Sequence, residues 1–260
     1  MKKKQSKGNV ILLIISLFIA LILIELFMKI IKLEYPIFQT YDFNRGFALR
    51  ENTSGWWLRE GEAFVKINSV GLRDIEHEKQ KNKGTLRIAI LGDSFAEARP
   101  VSLEKTFWFL LGEKLNKCTP KGFKEVEVIN FGVTEYSTAQ ELLTLRHHVW
   151  DYNPDMILLA FFSGNDVSDN SKKLSRKKYR PFFIYKDGEL IIDNSFRDTK
   201  TYILLKSKLG RTVSKLSDYS RIMQFMKEFY IKWHFGNLVM KKQNDKQDND
   251  YGFLKLYDEN

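Results

Sequence analysis

Three short loops in this 260-residue chain carry the residue types that acyl-transfer chemistry needs. They are Gly92-Asp93-Ser94, Asn130-Phe131-Gly132 and Ser163-Gly164-Asn165-Asp166, and each directly follows a short segment of strand character. A serine at a strand-to-helix turn suits a nucleophile, because Gly92 permits a tight backbone path and the following helix dipole favours developing negative charge. Gly132 has no Cβ, so a substrate oxygen can approach its N–H closely, and the Asn165 side-chain amide offers a second fixed donor. With the Ser94 N–H these make an oxyanion hole for a tetrahedral acyl intermediate. Taken singly, each has an ordinary structural alternative: Ser94 as a helix cap, Gly132 as a turn glycine, Asn165-Asp166 as a loop or cap. Their order behind three successive strands is what favours chemistry.

The elements that must position them are read from periodicity. Residues 86–91 (LRIAIL) form a short apolar run of buried-strand character, 126–129 supply a second strand, and 156–162 form a third that is again an apolar run. Between the first two, residues 103–115 place Leu103, Phe107, Leu110, Leu111 and Leu115 on one helical face. Between the second and third, Ser137 with Gln140 forms a capping box for a helix through Leu142, Leu145 and Val149 toward Asp151, before Pro154. Strand alternating with helix at this spacing predicts βαβ units and a parallel sheet with helices on its faces. Ligands bind beyond the carboxyl ends of such strands, where the three loops converge. After Asn170 the regularity fades. Residues 182–192 read as a hairpin turning at Lys186-Asp187-Gly188, and 219–233 as a helix whose Ile222, Phe225, Met226 and Phe229 suggest a core or inter-helix seam. Residues 241–250 are polar and by composition are expected to be mobile, and no internal repeat is present.

With these motifs in place, the sequence resembles the SGNH/GDSL hydrolase superfamily, whose blocks are named for Ser, Gly, Asn and His. Ile90-Leu91-Gly92-Asp93-Ser94-Phe95 resembles the first block, Asn130-Phe131-Gly132-Val133 the second and Gly164-Asn165-Asp166 the third. Asn68-Ser69-Val70-Gly71-Leu72-Arg73 is similar to a segment of membrane-anchored members, as is an apolar N-terminal helix ending in a glutamate. The similarity covers most of residues 10–170. It implies a flavodoxin-like three-layer α/β/α sandwich, and hydrolysis or transfer of acyl groups from esters, often on carbohydrate.

The resemblance breaks at the fourth block, an Asp-x-x-His pair whose histidine takes the serine proton. His77, His147, His148 and His234 each lack an aspartate three residues earlier. His147 and His148 read as surface or helix-packing residues, and His234 as a weak candidate base. About three parallel strands are visible where the fold needs about five. The expectation is therefore a chain truncated before its last strands and its Asp-His pair. Glu135 stands where related sequences often carry glycine, and it is assigned no catalytic role.

Composition sets the location. The net charge is +10, with Lys2, Lys3, Lys4 and Lys7 at the start and six more cations between Lys172 and Arg180, the latter read as a solvated face. Residues 10–24 carry no charge, and the apolar run continues past Glu25 and Lys29 to Ile31, long enough to span a bilayer. No small-x-small site follows Ile24, which favours an uncleaved anchor over a signal peptide. Positive charge before the run places everything after it outside the cytoplasmic membrane. The single cysteine, Cys118, excludes an intramolecular disulfide. The resulting plan is a basic cytoplasmic tail (1–8), a transmembrane signal anchor (9–31), a juxtamembrane stalk (32–84), the front half of a hydrolase core (85–170), and a hairpin with a helical insertion (171–260). The leading expectation is an ester hydrolase acting through a Ser94 acyl-enzyme with Gly132 and Asn165 at the oxyanion, on an acyl ester of the kind carried by cell-surface carbohydrate. A polysaccharide O-acyltransferase of the same fold and a non-catalytic membrane-anchored scaffold are the alternatives. No cofactor, metal or nucleic-acid partner is expected, and the N-terminal helix partners membrane lipid.

Overall fold

The computed structural model describes residues 2–175, 179–230 and 233, with side chains from residue 8 onward. It divides into two compact units: residues up to Tyr35 together with those from Ser220, and Pro36–Tyr219.

The first unit is dominated by α1 (Lys2–Ile30). Its segment Gly8–Ile30 is long and apolar enough to cross a membrane, and its side chains are exposed along the run, Leu12 at 73% and Phe18 at 64%. At 1.5 Å per residue that segment reaches about 34 Å, matching a hydrocarbon core. Glu25 and Lys29 pair at 3.6 Å across one turn. Lys32, with φ 54°, closes the helix in the left-handed region.

The second unit opens with two antiparallel hairpins, β1 (Gln39–Asp42) with β2 (Gly46–Leu49), and β3 (Ser54–Trp57) with β4 (Ala63–Lys66). This corrects the expectation of a stalk. Phe38, Phe47, Leu49, Val65 and Ile67 are buried together with Val133 and Tyr136, so residues from Pro36 onward are part of the body. Five apolar side chains scattered in and beside these short strands carry no strong periodic signal, yet together they bury enough surface to fix the segment. Trp57 packs on this cluster, and the Arg99 guanidinium stacks on Phe38 and Trp57 at 5.1 and 5.2 Å.

The centre is a three-strand parallel sheet in the order β6 (Glu125–Asn130), β5 (Thr85–Gly92), β7 (Met156–Ala160). Period-two alternation sends the β5 residues to opposite faces. Ile88 and Ile90 meet Ala96, Trp108, Val126 and Val128, whereas Ala89 and Leu91 meet Ile129, Phe131, Val149 and Tyr152. The connections carry α2 (Ser94–Glu97), α3 (Phe107–Lys117) and α4 (Thr138–His147). The strand reading of the sequence holds within two residues at each end.

Two helix faces differ from expectation. In α3 the inward residue is Trp108, 1% exposed, whose indole N–H donates to the Ala96 carbonyl at 2.8 Å, while Phe107 and Leu110 point to solvent. In α4 the buried face is largely polar, with Gln140, Glu141 and Thr144 beside Ala139 and Leu143, and Leu142 is exposed. Ser137 is the N-cap but makes no side-chain cap bond, and the Gln140 amide donates to the Arg45 carbonyl at 2.8 Å, so the expected capping box does not form. His147 ends α4 and His148 is its C-cap, with burial beside Arg45 lowering the His148 pKa to about 4.

Beyond the sheet, β8 (Phe182–Lys186) and β9 (Glu189–Asp193) form the expected hairpin, with Asp187 and Gly188 at φ 53° and 85°. Then come α5 (Lys200–Lys206) and α6 (Lys208–Ser217). Of the basic cluster, Lys172 pairs with Asp193 at 2.6 Å, and Arg180 is 1% exposed against the Phe47 ring, not part of a solvated face. Residues 176–178 lie outside the described residues, as do His234 and 241–250.

A last helix, α7, covers 221–230 in the first unit, inside the expected 219–233. Its buried residue is Gln224, 2% exposed, whereas Phe225, Met226 and Phe229 are exposed. The apolar stripe is therefore not a core seam among the described residues.

Candidate functional site

Ser94 begins α2 immediately after the central strand and is exposed. Asp93, 1% exposed, caps the helix by accepting the Phe95 N–H on Oδ1 at 2.9 Å. That bond fixes the turn and leaves the Ser94 hydroxyl free of protein partners among the described residues. A single turn later Ala98 takes a left-handed conformation, φ 52°, and ends α2.

Ala96 lies where the nucleophile turn and the second loop meet. A Cβ on Gly92 would stand 2.8 Å from the Ala96 methyl, and one on Gly132 would overlap it. Only glycine at both positions lets strand, turn and loop close to this distance. The Gly92 carbonyl also accepts the Val133 N–H at 3.1 Å.

Asn130, fully buried, organises the same place from below. Its N–H donates to Asp74 Oδ2 at 2.8 Å, and its side-chain amide donates to the Ala96 and Arg73 carbonyls at 3.1 and 3.3 Å. Its Oδ1 accepts the Gly132 N–H at 3.0 Å. The amide expected to be an open oxyanion donor is thus engaged by Asn130. Residues 68–74 clamp this arrangement: Asn68 Oδ1 accepts the Val70 and Leu72 N–H groups at 3.2 and 2.8 Å, Gly71 turns at φ 79°, and buried Arg73 donates to the Glu97 and Val101 carbonyls. Glu97, fully buried, holds Arg99 and accepts the Thr134 N–H at 2.6 Å, bolting α2 to the loop that carries Gly132.

The third loop arrives from β7. Phe162 packs on Phe95 with ring centroids 4.7 Å apart, and the Asn165 amide donates to the Tyr136 carbonyl at 3.3 Å. Asn165 is half-buried, and its Oδ1 has no hydrogen-bond partner. The three expected residues therefore stand on loops that touch one another, with one Asn165 donor and the Gly132 N–H already in use.

Beneath them lie three buried carboxyls: Asp93, Asp166 and Glu141. Asp166 accepts the Phe162 N–H at 2.6 Å, and burial with the negative charges of Asp93 and Asp169 raises its pKa. Burial, then Asp166 and Asp93, push Glu141 up to about 8, so it is protonated at neutral pH. Among the described residues, one oxygen each of Asp93 and Asp166 and both of Glu141 lack hydrogen-bond partners. Among the described residues no group of three or more His, Cys, Asp or Glu is arranged to hold a metal ion.

No described histidine contacts Ser94. His77 is committed elsewhere, to Asp74 at 3.2 Å and Glu127 at 2.6 Å, with Arg87 on the other Glu127 oxygen at 2.6 Å. Burial opposes its charge, but the two carboxylates hold it protonated up to about 9. This network borders a polar cavity of about 530 Å³ lined by His77, Arg87, Glu125 and Glu127, toward the amino ends of β5 and β6 and away from Ser94.

Compared with known proteins, the chain matches no family model and no curated protein. The reading of the site rests on its own residues. Sequence reasoning missed Asn130 as the hub and Glu141 as the buried acid. Asn130 carried a signal, an amide following the apolar pair Val128-Ile129 at a strand end, while Glu141 sits in a helix whose polar residues look solvent-facing until the sheet is placed under them.

Proposed function

We propose that the chain is a membrane-anchored serine hydrolase of the SGNH/GDSL type, with a flavodoxin-like core outside the cytoplasmic membrane, acting on ester bonds through Ser94. The observation that carries this reading is the exposed Ser94 hydroxyl, unpartnered among the described residues and set at the carboxyl end of the central strand on a turn locked between Gly92 and Gly132 by Ala96. In the proposed step Ser94 Oγ attacks the ester carbonyl carbon, the carbonyl oxygen takes the charge, and as the C–O bond to the alcohol breaks the leaving oxygen takes up the proton that Ser94 gives up. The Ser94 N–H and the second Asn165 amide hydrogen face that charge, and the Gly132 N–H joins them by exchanging Asn130 Oδ1 for the oxyanion. Water then releases the acid; a sugar hydroxyl in its place would make the same acyl-enzyme a transferase.

A second reading, a non-catalytic binding or scaffold protein, is favoured by two observations: the Gly132 amide is engaged, and no described histidine reaches Ser94. A fluorophosphonate probe on the detergent-purified full chain separates them. Labelling of the wild type, lost in Ser94→Ala, with release of acetate from an aryl ester in water, is the outcome expected of the hydrolase. Equal labelling of wild type and Ser94→Ala, or none in either, supports the scaffold.

A further inference from the structure

The carboxylate of Glu25 does more than pair with Lys29. It accepts the backbone N–H groups of Arg221 at 2.7 Å and Ile222 at 3.1 Å, and the Ser220 hydroxyl at 3.1 Å. These are the orphan donors at the amino terminus of α7, where a carboxylate is the most favourable acceptor. Glu25 lies five residues before Ile30, the end of α1, or about 8 Å along the axis. The start of α7 is therefore fixed at the depth of the membrane-distal end of α1. Further contacts hold one side of α7 against the chain leaving α1: Gln224 Oε1 accepts the Tyr35 N–H at 2.8 Å, Arg221 pairs with Glu34, and Phe225 meets the Tyr35 ring at 6.4 Å.

The other side is solvent-exposed. Met226, Phe229, Tyr230 and Trp233 are 65%, 62%, 62% and 58% exposed, and at helical spacing they fall within an arc of about 100°. Four large side chains of this kind in water are costly, and two of them, Tyr and Trp, favour the boundary between headgroups and acyl chains. α1 and α7 belong to one compact unit, and the α1 segment is itself apolar enough to cross a membrane. We propose that α7 lies along the membrane surface as an interfacial helix, capped by Glu25 and embedded in the outer leaflet by Met226, Phe229, Tyr230 and Trp233. This rests on the reading of α1 as a retained membrane anchor.

The test uses the full chain reconstituted in vesicles of phosphatidylethanolamine and phosphatidylglycerol. In a Cys118→Ser background, one NBD label is placed at a time through Met226→Cys, Glu228→Cys or Phe18→Cys. Lipids carry a doxyl quencher either near the carbonyl or near the methyl end of the acyl chain. Expected are quenching of the position 18 label by the deep probe, and quenching of the 226 label by the shallow probe about threefold stronger than of the 228 label on the opposite face. Quenching at 18 with none at 226 overturns the interfacial helix and leaves the anchor standing, whereas no quenching at 18 overturns the anchor and this proposal with it. A disulfide-linked dimer of the unlabelled Met226→Cys variant, together with no lipid quenching of the labelled one, assigns the face to a second copy and likewise overturns the proposal.

Discussion

Glu141 and His77 give the molecule a pH signature that can be assigned to single residues. The Glu141 pKa rises from 4.5 in the unfolded chain to about 8 in the fold, so between those values the fold keeps a proton that the unfolded chain releases. Stability therefore falls as pH rises through that window, and the loss is complete above about 8. His77 acts in the same direction: its contribution is fully present below 6.5 and disappears as pH rises through about 9. The expected outcome in urea melts is that Glu141→Gln matches wild type near pH 5 and exceeds it by several kcal/mol, on the order of 3, at pH 9. His77→Gln should cost stability at pH 6 and progressively less toward pH 9. A pH-independent difference for either variant would refute the assignment.

Between α2 and the loop after β6, the contact at Ala96 is so close that the two elements form one rigid piece. Gly132→Ala is expected to destabilise the fold by about 1–3 kcal/mol through overlap with the Ala96 methyl. Ala96→Gly in the same chain should return part of that loss, and additive costs in the double variant would show that the contact is not the cause. Much of this layout was legible beforehand. The three strands, the Asp187-Gly188 hairpin and the Gly71 turn announce themselves because alternation and left-handed turns are local properties. The inward turn of Trp108, the polar underside of α4 and the burial of residues 36–67 were not, since each depends on which surface arrives from elsewhere in the chain. Ser94, Gly132 and Asn165 could be named from sequence, but the competition of Asn130 for the Gly132 amide could not, because it is a matter of three-dimensional distance.

At the scale of the whole molecule, the sheet is protected unevenly. One edge, β6, has the His77 segment beside it through the Glu127 contact, while among the described residues β7 pairs only with β5 and carries exposed Met156 and Leu159. An apolar open edge is a template for pairing with another chain. Leu159→Lys should reduce self-association of the detergent-solubilised protein, read by light scattering, without changing its melting temperature by more than about 2 °C. The link through Glu25 bears on a different fate of the protein. A protease that cut the chain between Ile31 and Tyr35 would separate the carboxylate from Ser220, Arg221 and Ile222, leaving the severed body with a frayed helix start. Shedding would thus yield a species distinct from the tethered one, recognisable by rapid amide exchange at the first turn of α7.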